Sequence, residues 1–219
     1  MNTAKMTKPH PIPVLLLFAA ATAVLVWLLF SGVEDEPPRR AARWAETISD
    51  LDACCRRKHV RSEQYDHFAA IAAGERREAA ARLFRAMALS ARVQEAECAA
   101  AIGRLGGRYT PPVKVALFRG ATDENLARSL AYERQRLRTA PDIGIARALA
   151  RGNRLAARAL IRAAAGDVRH VVLMERLRDG VSSGAYRLCP RCGNLYEAVS
   201  TDSYCPICLT SGRNFIAIE

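Results

Sequence analysis

A chain of 219 residues with a formal net charge of +11 and half its residues hydrophobic is long enough for one sizeable core and a small accessory module, and too apolar to be a disordered polycation. The charge alone would raise nucleic acid as a partner, but the arginines are spread over every helical face rather than gathered with aromatics into one tract. With only four lysines as well, a nucleic-acid role is not expected.

The chain opens with an almost wholly apolar run, residues 12–30 (IPVLLLFAAATAVLVWLLF). Roughly 20 such residues suffice to cross a bilayer, and no small-x-small cleavage site follows before Glu34. The run therefore predicts a single-pass anchor in the plasma (inner) membrane. Two lysines precede it and three arginines follow closely, so the charge rule does not choose a side for the rest of the chain. These features divide the chain into a tail and anchor over 1–33, a linker over 34–39, a helical body over 40–180 and a C-terminal module over 181–219.

Helical periodicity dominates the body. The first helix has the inward stripe Leu51, Cys55, Lys58, Tyr65, Phe68 and Ala72 and ends near Gly74. The second carries Phe84, Met87, Ala91, Gln94, Cys98, Ile102 and Leu105 and closes at Gly106 and Gly107. A non-helical crossover over 109–120 leads to a third helix, capped by Thr122 or Asp123, with the stripe Leu126, Leu130, Glu133 and Leu137 and an interruption near Pro141. The fourth holds Leu160, Ala163, Asp167, His170, Met174 and Leu177 and stops at Gly180. Four helices with one long crossover predict an all-α, ferritin-like four-helix bundle.

Two features carry chemistry. Cys189-Pro190-Arg191-Cys192 and Cys205-Pro206-Ile207-Cys208 are CxxC knuckles separated by twelve residues, a spacing that brings four thiolates around one tetrahedral ion, iron or zinc. The second feature is a set of polar residues where the stripes demand core: Lys58, Gln94, Glu133, Asp167 and His170. Asp167 and His170, three apart, leave one face of their helix, as a carboxylate-x-x-His ligand pair does.

With these motifs, and with the run Asn125 to Glu133 (NLARSLAYE) and the tail CPICLTSGRNF, the chain resembles the rubrerythrins. The likeness covers roughly residues 50–219 and implies a ferritin-like bundle followed by a rubredoxin-like domain. In that family two irons in the bundle reduce peroxide, and a four-cysteine iron centre supplies the electrons. Carried across by position, the resemblance puts Lys58 at the first-helix glutamate, and Ala91 and Gln94 at the second-helix ligand pair. Glu133 is kept while its partner becomes Arg136, and the fourth-helix pair becomes Asp167 and His170. Glu133, Asp167 and His170 are thus remnants of a bundle metal site, with Lys58 and Arg136 as cations in the place of ligands. A di-iron centre is not expected, because two irons need several carboxylates. The expected pairing is Lys58 and Arg136 with Glu133 and Asp167; a single Fe or Mn on Glu133, Asp167 and His170 is the competing arrangement.

The expected function is that of an anchored electron carrier or interaction module built on one Fe or Zn at the four-cysteine site. It would work with an external redox partner and, by the resemblance, as a homodimer. A peroxide reductase with an altered metal site and a zinc-ribbon adaptor for protein or nucleic acid are the alternatives, and enzyme activity is not favoured.

Overall fold

In the computed structural model the described residues are 37–139, 143–182, 184–200 and 202–218. A short helix, α1 (Pro37–Arg43), leads into the long antiparallel pair α2 (Ala45–Gly74) and α3 (Glu78–Arg104). The extended crossover then reaches α4 (Thr122–Thr139), and α5 (Ile143–Ala150) and α6 (Arg154–Arg178) complete the helical part. Most of the apolar stripes read in the sequence are packed faces, with Leu51, Tyr65, Phe68, Phe84, Met87, Ile102 and Met174 all buried; Leu137, expected on the third stripe, is exposed instead. Each large side chain so placed contributes about 1.5–3 kcal/mol. The Asn153 side chain caps α6 by accepting the N–H of Ala156 at 3.1 Å.

The apolar interior is divided in two. One cluster gathers Tyr65, Phe68, Phe84, Met87, Leu130 and Met174, and the other Leu51, Cys54, Cys55, Cys98, Ile102 and Leu160. Along α2, α3 and α6, buried Lys58, Gln94, Asp167 and His170 fall between the segments that feed these clusters, so a polar layer separates them.

The C-terminal module is a three-stranded antiparallel sheet, β1 (Tyr186–Leu188), β2 (Leu195–Glu197) and β3 (Ile216–Ile218), in the order β2-β1-β3. Tyr186 faces Glu197 on one side and Ile218 on the other. Tyr186, Leu188, Leu195 and Ile218 join the first cluster, so the sheet packs on the helices by its own apolar face.

The expected architecture, all-α with an N-terminal transmembrane helix, is corrected on two points. The protein is mostly helical with a small sheet, and among the described residues no helix is long and apolar enough to cross a membrane. The longest, α2, has 30 residues, enough to span a bilayer, but it carries Arg56, Arg57, Lys58 and Arg61 at its middle. The run over 12–30 that suggested the anchor lies outside the described residues. The expected single-pass location in the plasma membrane is withdrawn with the anchor.

Candidate metal centre

Each CxxC knuckle presents two sulfurs from one tight turn. In the first, Cys189 and Cys192 flank a turn closed by the Gly193 N–H donating to the Cys189 carbonyl at 2.9 Å. In the second, the Leu209 N–H donates to the Cys205 carbonyl at 2.8 Å. Both residues after the knuckles lie in the left-handed region, Gly193 at φ 70° and Leu209 at φ 60°. Glycine adopts that region freely; leucine does so at a cost.

The four sulfurs of Cys189, Cys192, Cys205 and Cys208 all lie within 4.8 Å of one another, with Cys189 to Cys208 at 3.5 Å and Cys192 to Cys205 at 3.6 Å. A tetrahedral ion with metal–sulfur bonds near 2.3 Å needs edges of about 3.8 Å, so the set fits one ion closely. Among the described residues it is the sole group of three or more His, Cys, Asp or Glu side chains placed to share an ion. Backbone N–H groups of Arg191 and Cys192 point at the Cys189 sulfur, and those of Ile207 and Cys208 at Cys205, the kind of donor that steadies a thiolate. Tyr196 stacks on Phe215 with ring centroids 5.3 Å apart, and its hydroxyl meets the Cys205 sulfur at 3.2 Å. Three of the sulfurs are buried; Cys208 alone is partly exposed.

The sheet module is seated directly on the helices. Ser90 on α3 donates its hydroxyl to the Gly193 carbonyl at 2.5 Å, and Gln94 reaches the same carbonyl at 3.4 Å. A side chain at Gly193 would put its Cβ 2.6 Å from the Ser90 carbonyl, so a glycine is required there by contact as well as by conformation. Since the single Ser90 proton is given to Gly193, the His170 Nε2 at 2.8 Å must be a donor to Ser90.

The residues expected to be remnants of a bundle metal site lie in the polar layer. The Lys58 ammonium contacts Asp167 and also donates to the Ala163 carbonyl at 3.1 Å. Arg136 contacts Asp167 with one nitrogen and Glu133 with another at 3.4 Å. Arg61 reaches Glu133 at 3.3 Å, and the Tyr65 hydroxyl donates to the same carboxylate at 3.3 Å. Glu133, Asp167, Lys58 and Arg136 therefore form one network, whereas His170 turns away from it to Ser90. Burial acts to raise the Asp167 carboxyl, but Lys58 and Arg136 outweigh it and hold the group below its ordinary range. Burial, reinforced by Lys58, pushes His170 down to about 3, so its imidazole is neutral at pH 7.

Arg61 and Ser90 are participants that the sequence did not single out, and Tyr65, expected only as part of the inward stripe, also joins through its hydroxyl. The signal was there, since Arg61 is three residues after Lys58 and Ser90 four before Gln94, each on the face already identified. Cys98 also has a partner that no spacing could reveal: its sulfur lies 3.5 Å from that of Cys54 on α2.

The fold is similar to that of nigerythrin, a rubrerythrin-family protein, in its fully reduced, all-ferrous state. The TM-score is 0.67, with 24% identity over 78% of this chain and 86% of that one. A mixed-valence state of nigerythrin gives 0.64 at 22% identity, and a partially reduced state 0.64 at 24%. No protein-family model matches the chain, and no curated protein matches it. The chain thus has a rubrerythrin-like fold with a four-cysteine group able to hold one metal ion.

Proposed function

We propose that this protein is a one-electron carrier that uses iron at Cys189, Cys192, Cys205 and Cys208 and has no di-iron centre in its bundle. The observation that carries this reading is the charge of the polar layer. Lys58, Arg61 and Arg136 already occupy the oxygens of Glu133 and Asp167, and His170 is engaged by Ser90, so the carboxylates that two irons would need are committed to cations. A four-thiolate iron supplies one-electron chemistry when bound. Iron is preferred to zinc because the fold is like that of a protein studied in an all-ferrous state.

The rest of the chain sets the conditions around that ion. Tyr196 and Phe215 shield one side of the sulfurs from water, and the sulfur-directed N–H groups favour the thiolate forms. Cys208 opens onto a cavity of about 380 Å³ bordered by Ile207, Leu209, Arg158 and Arg162. A partly exposed ligand beside a mixed apolar and cationic rim suits brief contact with an acidic redox partner.

The test is metal analysis and visible absorption of the full chain prepared with iron and zinc both present. The expected result is one iron per chain and the red thiolate-to-iron spectrum, abolished by Cys192→Ser. One zinc without colour would overturn electron transfer, and iron beyond one per chain would overturn the metal-free bundle.

A further inference from the structure

The polar layer has more positive charge than its carboxylates neutralise. Lys58, Arg57, Arg61 and Arg136 surround only Glu133 and Asp167, and His170 adds no charge because it is neutral. The excess is two charges, and Arg57 is the member of the four that stands outside the ion pairs. It makes no ion pair among the described residues, one of its terminal nitrogens lies 3.6 Å from the Cys54 sulfur, and its buried Nε has no partner.

Arg57 borders two cavities. The larger, about 510 Å³, is bordered by Arg56, Arg57, Arg61, Arg128, Phe118 and Tyr132, and no carboxylate lines it among the described residues. The smaller, about 280 Å³, shares Arg57 and Tyr132 and adds Arg136. Its one acidic neighbour, Asp50, is taken up by Arg147 at 3.0 Å. Arg56 is paired with Asp52 on its outer side. The Arg128 guanidinium lies 3.4 Å over the Phe118 ring and that of Arg61 3.4 Å over Tyr132. A guanidinium stacked flat on a ring is held in orientation, with its N–H groups directed along its edge.

We infer that this cleft between α2 and α4 binds a small dianionic oxyanion of the phosphate class, with Arg57 as its central partner and Arg128 at the rim. The class follows from the chemistry: excess charge of more than one unit calls for a multiply charged anion, and the planar fork of arginine matches phosphate oxygens. The inference rests on the ion-paired core proposed above and is independent of which metal the cysteines hold.

The experiment is calorimetric titration of the full chain, its metal content measured on the same sample, with inorganic phosphate and with pyrophosphate in chloride buffer of matched ionic strength. Both are expected to bind, pyrophosphate the tighter. Arg57→Gln is expected to weaken binding roughly tenfold to a hundredfold, the worth of one charged hydrogen bond. Arg128→Gln, at an exposed position where folding is not at stake, should weaken it in the same direction, while Arg85→Gln on an exposed face of α3 should not. No heat beyond the chloride control, or equal affinity in all four proteins, overturns the site. One metal per chain without phosphate binding would defeat this inference alone; additional metal in the bundle would defeat the ion-paired core and this inference together.

Discussion

Replacing Lys58 by Met tests the polar layer most directly, because Met nearly fills the same space while removing the charge and the N–H donors of the ammonium. The Lys58 side chain is 1% exposed and that of Asp167 5%, so the pair has no water to fall back on. Breaking a buried ion pair by deleting one member costs about 3–5 kcal/mol. Asp167 keeps Arg136, which favours the lower end, and the lost bond to the Ala163 carbonyl adds about 1 kcal/mol. Lys58→Met is therefore expected to lose about 3–4 kcal/mol in urea unfolding followed by circular dichroism, with the m-value unchanged. For a chain of this size that corresponds to a fall in Tm of roughly 6–16 °C. The double variant Lys58→Met, Asp167→Asn should recover part of the loss, with a coupling of about 2 kcal/mol, since both buried charges then go together. A single variant within about 0.5 kcal/mol of the parent, or strict additivity in the double, would refute the pairing.

Two further outcomes follow from the same geometry. The His170 imidazole stays neutral in the folded state down to about 3, whereas an unfolded histidine protonates near 6.5; stability from this group is present above pH 6.5 and is lost as pH falls toward the folded value. Between pH 7 and 5 it should account for about 2 kcal/mol of lost stability, so urea midpoints of His170→Gln should fall less steeply than those of the parent across that interval; parallel slopes would contradict the burial argument. Leu209 is 77% exposed and has a φ of 60°, so Leu209→Gly forfeits little apolar burial and relieves backbone strain. It should raise stability by about 1 kcal/mol without altering metal content, and a loss of stability would show that the leucine side chain is needed where it stands.

How far the sequence could be read depended on the range of each interaction. The four cysteines were legible because two CxxC turns need only local geometry, and the helical stripes because burial repeats every three to four residues. The polar positions Lys58, Glu133, Asp167 and His170 stood out against those stripes for the same reason. Which cation meets which carboxylate was harder, since Arg136 joins Asp167 from another helix and Arg61 competes for Glu133. The contact between Cys54 and Cys98 depends on how α2 and α3 are set against each other, which no stretch of either helix encodes. Helix α1 straddles the expected boundary between linker and helical body, and none of its residues is buried to mark it as a separate element. The apolar run over 12–30 had a strong hydropathy signal, yet no described helix is long and apolar enough to cross a membrane.

The hydrogen bonds from Ser90 and Gln94 to the Gly193 carbonyl join the first cysteine turn to the α2–α3 hairpin. A ligand that binds the folded state adds its free energy to folding in proportion to the logarithm of its concentration. Because the sheet that presents these cysteines packs on α3 and α6 through Tyr186, Leu188, Leu195 and Ile218, the free energy of an ion held there would be delivered to the helices and not confined to the small sheet. The whole described unit should therefore become harder to unfold and to digest as the supply of the ion rises. Its survival in a cell would then report metal availability, quite apart from any electron it carries.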